Sequence, residues 1–103
     1  MARIVVAAPA DADIAEILAY LGAVAGRRTA ERYLALFESL YDRLSAHPES
    51  LPLRPALGAQ IRAGIVLPYI VIYRHDPQDK LVTVLRVLHG RRRITGQMLA
   101  AAR

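Results

Sequence analysis

The 103-residue chain contains no cysteine, and none of its apolar runs is long. The absence of cysteine excludes disulfides and thiolate metal sites and suits the reducing environment of the cytoplasm. The apolar run over 4–8 is only five residues long, whereas a secretion signal needs about 7 to 15. No run approaches the roughly 18 apolar residues that span a bilayer. We therefore expect a soluble cytoplasmic protein without a membrane partner.

Lysine is nearly absent from the chain. Lys80 stands against thirteen arginines, and the formal net charge is +5. Guanidinium groups suit planar, bidentate contacts with carboxylates or phosphates. The composition therefore leaves two classes of partner open, an acidic protein and a nucleic acid.

The remaining composition is that of a globular domain, because 54% of the residues are apolar and 22% are charged. A chain of 103 residues is long enough for one hydrophobic core but too short for two domains. We predict a single domain over 1–103.

Two segments in the first half of the chain have helical spacing. In the first, apolar residues recur at i, i+3, i+4 and i+7, and Gly22 is the expected stop. That stripe consists of Ile14, Ile17, Leu18 and Leu21. Helical spacing resumes over 30–46, with Thr29 as the expected cap and Pro48 beyond the end. Two amphipathic helices joined by a short link predict an antiparallel hairpin.

Three carboxylates, Asp11, Asp13 and Glu16, lie near the start of the first predicted helix. They could form an acid/base set, but the helix macrodipole already favours negative charge at this place. We therefore interpret them as partners of the helix dipole.

Four segments have the composition of strands, namely 3–7, 60–66, 69–74 and 81–89. Residues 75–80 are typical of a hairpin turn, and 94–102 favours a short helix. The order β-α-α-β-β-β predicts an α+β fold, in which the helical hairpin covers one face of a small, four-stranded, mainly antiparallel sheet.

The last predicted strand begins the stretch LVTVLRVLHGRRR over 81–93. Strict alternation places two largely apolar sets on opposite faces. One set is Leu81, Thr83, Leu85, Val87 and His89, and the other is Val82, Val84, Arg86 and Leu88. This pattern is typical of an interior strand that is covered on both sides, or covered on one side and open to a partner on the other.

Signatures of cofactor or metal chemistry are missing. His47, His75 and His89 are scattered and form no HxxxH pair. Neither GxGxxG nor GxxxxGK[ST] occurs, and the serines lack a nucleophile elbow. We expect no metal, no cofactor and no designed acid/base site.

Arginines cluster at and near the end of the last predicted strand. Arg91, Arg92 and Arg93 follow His89, and Arg62, Arg74 and Arg86 lie on predicted strands. Such a run is either a solvated end that helps solubility or a site for phosphate or carboxylate groups. The residues alone leave both interpretations open.

A family resemblance lies in the element order and in three segments of the sequence. These segments are LSAHPESLPLRPALGAQIR, PYIVIYRHD and, above all, VTVLRVLHGRRR. Together they resemble the ParE/RelE toxin superfamily and, within it, the ParE branch, over nearly the whole chain. The resemblance implies the toxin of a type II toxin-antitoxin module. ParE-like members are associated with inhibition of DNA gyrase, whereas RelE-like members cut messenger RNA on the ribosome.

The resemblance also distinguishes these two activities. RelE-like cleavage relies on basic side chains of the second and third strands, an arginine after the fourth and a tyrosine near the C-terminus, because in-line attack needs charge stabilisation and proton transfer. The aligned positions here hold Ile61, Ala63, Ile70 and Gln97, and only Arg91 matches. The resemblance therefore implies an inhibitor that acts by binding and not an enzyme. A RelE-like endoribonuclease and an inactive binding module are the alternatives.

Two partners follow from the resemblance, a ParD-like antitoxin with an acidic C-terminal segment, which forms a hetero-oligomer with the toxin, and DNA gyrase as the target. No sequence-specific nucleic-acid contact is implied. The candidates for target contact are Arg62, His89, Arg91, Arg92 and Arg93. The candidates for antitoxin contact, on the sheet face opposite the helices, are Ile70, Ile72, Arg74, Val82, Val84, Arg86 and Leu88. The alternative is that the C-terminal segment and the loop after the second helix cover this face alone.

Overall fold

The structure is a computed structural model that describes residues 1–100. Strand β1 (Arg3–Val6) leads into helices α1 (Ala8–Ala25) and α2 (Arg27–Ala46), and a single 3₁₀ turn (Pro55–Leu57) follows. Strands β2 (Ile61–Val66), β3 (Tyr69–Asp76) and β4 (Leu81–His89) come next, and a short helix α3 (Gly96–Leu99) ends the described chain. The predicted β-α-α-β-β-β order is confirmed.

The four strands form one mixed sheet in the order β1-β4-β3-β2. Strand β1 is parallel to β4, with Ile4 opposite Val82, and the other two pairs are antiparallel. The predicted four-stranded, mainly antiparallel sheet is therefore confirmed. Strand β4 is an interior strand that pairs with β1 on one side and β3 on the other.

The two helices are separated by a single residue, Gly26. Its φ of 92° lies where an L side chain is strained, so a glycine suits this sharp reversal. The prediction that Gly22 stops the first helix is wrong, because α1 continues to Ala25. The predicted cap at Thr29 is also wrong, since α2 begins at Arg27 and the Thr29 hydroxyl donates to the carbonyl oxygen of Ala25 at 3.1 Å.

The helical hairpin packs on one face of the sheet, as predicted. Phe37, Leu40 and Leu44 of α2 are buried against this face. The sheet contributes Val71 and Tyr73 from β3, together with Val82, Val84 and Val87 from β4. Burial of these apolar side chains supplies the main driving force for packing the two layers.

The opposite face of the sheet is also covered. Leu57 of the 3₁₀ turn and Leu99 of α3 pack on Ile72, Leu85 and Leu88 in a second buried cluster. The prediction of an open groove on this face is therefore wrong for the described chain. The alternative applies, in which the C-terminal segment and the loop cover the face.

A β-bulge explains why strict alternation fails along β4. Ile72 lies opposite Arg86, yet its neighbour Tyr73 lies opposite Val84, so Leu85 is an extra residue on β4. The extra residue reverses which face the following side chains occupy. Val84 consequently belongs to the core under the helices, whereas Leu88 belongs to the second cluster.

Within residues 1–100, no helix is both long enough and apolar enough to cross a bilayer.

Tyr41 of α2 packs against the core under the helices, and its hydroxyl is buried without a hydrogen-bond partner among residues 1–100. Burial, with a smaller contribution from the negative charge of Asp11, raises the pKa of Tyr41 to about 12. In the unfolded chain the same group ionises near its usual pKa of about 10. Rising pH between these two values therefore favours the unfolded state.

We expect Tyr41→Phe to leave the free energy of unfolding at pH 7 unchanged or slightly higher, because the lost hydroxyl has no partner. The fall in this free energy between pH 10 and about 12 should be smaller in the variant. Urea unfolding at a series of pH values measures both effects, with the exposed Tyr20→Phe as the control. An unchanged alkaline fall would contradict the assignment to Tyr41.

Candidate functional site

Arg86 forms an ion pair with Asp13 across 73 residues of sequence. Its Nε donates to one carboxylate oxygen of Asp13 at 2.7 Å and its Nη2 to the other at 3.0 Å. The side chains are only 18% and 14% exposed. The hydrogen bond to Asp13 raises the pKa of Arg86. The guanidinium of Arg86, which the sequence analysis predicts as an antitoxin contact, is thus engaged inside the molecule.

The same carboxylate also supports the backbone of β4. Strand β1 pairs with β4 only as far as Val84, whose carbonyl oxygen accepts from Ala7 N at 2.9 Å. Beyond this point, Asp13 Oδ2 accepts from Val87 N at 2.9 Å. Asp13 thus replaces a strand partner, and its interpretation as a helix-dipole partner missed this role.

The other predicted antitoxin contacts do not form one accessible surface. Val82 and Val84 are fully buried under the helices, while Ile72 and Leu88 are buried on the opposite face. The half-buried Ile70 packs on the edge of that second cluster. Arg74 pairs locally, with 3.2 Å between its Nε and Asp76 Oδ2.

Arg62 lies on β2 away from the other predicted target contacts. Its Nη1 donates to the carbonyl oxygens of Leu51 at 2.6 Å and Glu49 at 3.3 Å. It faces Tyr73 on β3, whereas His89 faces Tyr69, four positions earlier on that strand. Arg62 therefore holds the loop after α2, and the structure does not bring it to the end of β4.

The basic tip, which we define as His89 to Arg93, is a tight turn at the end of β4. Gly90 N donates to the carbonyl oxygen of Pro68 at 2.8 Å, and Arg92 N donates to that of His89 at 2.9 Å. Arg91 N donates to His89 Nδ1 at 3.0 Å. A Cβ on residue 90 would lie only 3.1 Å from the Pro68 oxygen, which explains a glycine there.

The guanidinium groups of the basic tip face solvent. Arg91, Arg92 and Arg93 are exposed, and the ion pairs found within residues 1–100 involve none of them. Three adjacent cations without a carboxylate partner among residues 1–100 can bind an anionic surface without first breaking an ion pair.

A cleft of about 720 Å³ opens beside the basic tip, between the two helices and the ends of β3 and β4. We call it the aromatic cleft; its lining includes Ile17, Tyr20, Val24, Tyr33, Tyr69, His89 and Arg92. The Tyr69 ring makes edge-to-face contacts with Tyr33, at 5.8 Å between centroids, and with His89, at 5.9 Å. Burial, followed by the neighbouring Tyr33 and Tyr20, raises the pKa of Tyr69.

The sequence analysis missed this cleft. Of its full lining, the predicted site residues supply only Leu88, His89 and Arg92. The sequence shows Tyr20 and Val24 at helical spacing from the α1 stripe, but only the structure shows that they remain 61% and 62% exposed. No group of three potential metal ligands occurs within the described part of the chain.

The fold is shared with solved toxin-antitoxin chains. A chain of the chromosomal ParDE toxin-antitoxin system from P. aeruginosa superposes with a TM-score of 0.70 at 18% identity, covering 86% of this chain and 96% of that one. A chain of the toxin-antitoxin complex RelBE2 from Mycobacterium tuberculosis gives a TM-score of 0.60 at 24% identity, covering 85% and 96%. These likenesses define the class of the fold.

Sequence comparisons give the family. The model of the ParE toxin of the type II toxin-antitoxin system parDE matches residues 4–94. Toxin ParE3 of Caulobacter vibrioides is 31% identical over 98 residues, which cover 95% of this chain and 96% of that protein. The chain belongs to the ParE toxin family of type II toxin-antitoxin systems, as its closing strand and arginines indicated.

The ion pair at the bulge makes a prediction about stability. Asp13→Ala leaves the partly buried guanidinium of Arg86 and the amide of Val87 without their shared acceptor, and it should cost about 3 kcal/mol. The exposed Asp11→Ala, on the same helix, should cost no more than about 1 kcal/mol. Denaturant unfolding measures both. In a double-mutant cycle with Arg86→Met, additive losses would contradict the coupling.

Proposed function

We propose that this ParE-family toxin inhibits DNA gyrase by binding and that a cognate antitoxin neutralises it. The observation that supports the first part best is the basic tip, where three exposed arginines, which form no ion pair within residues 1–100, project from the end of the most buried strand. Because the arginines directly follow a strand of the sheet, their backbone is already ordered, and contact with a target costs less conformational entropy. Electrostatic steering by the net charge of +5 favours an acidic target surface.

The residues at the positions used for RNA cleavage by RelE-like relatives favour binding over catalysis. Ile61 is 1% exposed and packs in the second cluster, where Ile70 also lies. Ala63 and Gln97 supply neither a charge nor a readily ionised proton. Arg91 alone would have to stabilise the transition state, and each missing group is typically worth about 10²-fold or more.

We expect Arg91→Ala combined with Arg92→Ala to weaken inhibition of gyrase supercoiling about 10-fold or more, because charge-assisted hydrogen bonds to the target are lost. The matched control is Arg3→Ala combined with Arg28→Ala, which removes the same charge from exposed positions away from the tip. Supercoiling assays with purified toxin measure the effect.

Three outcomes would contradict this proposal. Full inhibition by the tip variant would show that the tip is a solvated end, and equal losses in both variants would show a general charge effect. Codon-dependent cuts in messenger RNA on induction would instead favour the RelE-like activity.

We propose that the antitoxin binds the aromatic cleft. The predicted sheet face is covered, whereas this cleft is open, largely apolar and bordered by exposed Tyr20 and Val24. His89 and Arg92 form one end of it, so an occupant would also cover part of the basic tip. An acidic segment would gain both burial and ion pairing there, and masking of the tip would explain neutralisation. The likeness to chains of two toxin-antitoxin systems supports a partner of this kind.

We expect Val24→Asp to weaken antitoxin binding about 10-fold or more, because it places a charge on the apolar wall of the aromatic cleft. The control is Val5→Asp, at a residue that is 41% exposed on β1 and does not line the cleft. Calorimetric titration with the product of the adjacent small gene measures the affinity.

Toxin expressed alone should be harmful or poorly recovered, and harmless expression at equal yield without the antitoxin would contradict the module.

A further inference from the structure

The imidazole of His89 connects the sheet to the basic tip. His89 is the last residue of β4 and lies opposite Tyr69 on β3. Its ring meets that of Tyr69 edge to face, with 5.9 Å between the centroids. Tyr69 is only 6% exposed, so the imidazole rests on a buried ring although His89 itself is exposed.

The ring of Tyr69 is itself held by α2. It packs edge to face on Tyr33, with 5.8 Å between centroids, and at a tilt on Phe37, with 6.1 Å. Phe37 is fully buried, and the hydroxyl of Tyr33 donates to the carbonyl oxygen of Leu67 at 3.0 Å. Such aromatic contacts have a preferred geometry. The layers beneath the imidazole therefore determine its orientation.

Three successive backbone amides of the basic tip have acceptors, and His89 supplies two of these acceptors. Gly90 N donates to the carbonyl oxygen of Pro68, and Arg92 N donates to that of His89. Between them, Arg91 N donates to His89 Nδ1 at 3.0 Å. No second acceptor for this amide occurs within residues 1–100. The side chain of His89 thus holds the backbone at the first arginine of the tip.

We propose that His89 is a positioning residue of the basic tip, whose Nδ1 fixes the backbone of Arg91 and so directs its guanidinium towards the target. The proposal rests on the proposed inhibition of gyrase through this tip. A backbone that is ordered before contact saves conformational entropy, which for one residue corresponds to about 10-fold in affinity. The competing role is direct contact between the target and the outer ring nitrogen, Nε2, since His89 is exposed.

Nitrogen NMR tests the hydrogen bond in the free toxin. In mildly alkaline buffer, where an imidazole is ordinarily neutral, Nδ1 of His89 should carry no proton and Nε2 should carry one. The Arg91 amide should exchange with solvent about threefold or more faster in His89→Ala than in the wild type, because its acceptor is lost. A protonated Nδ1, or equal exchange of this amide in both proteins, overturns the proposal.

Three variants of His89 separate positioning from contact when their inhibition of gyrase supercoiling is measured. All three remove the ring, but the side-chain oxygen of asparagine reaches the place of Nδ1, whereas that of glutamine reaches the place of Nε2. His89→Ala should weaken inhibition about 10-fold, and His89→Asn should recover most of this loss. His89→Gln should recover little. Better recovery with glutamine than with asparagine overturns the proposal in favour of direct contact, and full inhibition by His89→Ala also overturns it.

A double-mutant cycle shows whether His89 acts through Arg91. In the Arg91→Ala background, His89→Ala should weaken inhibition by no more than about twofold further, because the side chain that it positions is gone. A further loss of about 10-fold there would contradict the proposal. His47→Ala, at the exposed end of α2, is the control and should inhibit fully. An equal loss in this control would show an effect that is unrelated to the tip.

The outcomes separate this inference from the proposed function. If the wild-type toxin does not inhibit gyrase, the proposed function fails, and Arg91 has no target for which to be positioned. If it inhibits, and His89→Asn recovers no more than His89→Gln, only the positioning role fails. Should His89→Ala prevent folding, the comparison of the other two variants and the NMR of the wild type still decide the role of His89.

Discussion

The carboxylate of Asp13 replaces backbone pairing that the short strand β1 cannot provide to β4. Strand β1 is only four residues long, so it leaves the second half of β4 without a neighbour on that side. Asp13 accepts from Val87 N at this bare edge and holds the guanidinium of Arg86 with both oxygens. One side chain of α1 thus closes the sheet edge and fixes the bulge. The Nη1 of Arg86 lies 3.5 Å from the Met98 carbonyl oxygen, so the C-terminal cover approaches the same centre.

This arrangement also explains the position of the aromatic cleft. Because α1 continues past the end of β1 along β4, its residues from Ile17 to Val24 stand beside the end of the sheet. Tyr33 bridges the gap from α2, and its hydroxyl donates to the Leu67 carbonyl oxygen at 3.0 Å. Leu67 in turn directly follows β2.

The sequence predicted the element order, the helical hairpin and the sheet, because apolar periodicity reports directly on which face of an element is buried. It failed where the outcome depends on pairing. Nothing local marks Leu85 as an extra residue, yet that residue decides which side Leu88 occupies. Likewise, Asp13 and Arg86 are 73 positions apart. The sequence analysis explained Asp13 by the helix dipole and Arg86 by contact with an antitoxin, so nothing linked the two residues. Gly22 was misread because a helix tolerates an interior glycine at a cost of about 1 kcal/mol.

The candidate site was predictable in part for the same reason. The arginines of the basic tip are visible as a run, and their exposure follows from their position after the last strand. The aromatic cleft is built from α1, α2, β3 and β4, and its shape exists only after the layers have packed. Binding surfaces formed by several elements are thus the part that periodicity cannot supply.

The interior position of β4 has a consequence for how the protein is made. Because ribosomes synthesise the chain from its N-terminus, the strand that joins β1 to β3 is the last of the four to emerge. Until then β1 has no partner, Asp13 has no guanidinium to bind, and the long-range contacts that define the sheet cannot form. An unfinished or prematurely terminated copy therefore lacks both the fold and the arginines of the tip. A copy that carries both the complete sheet and the basic tip is therefore a nearly complete translation product.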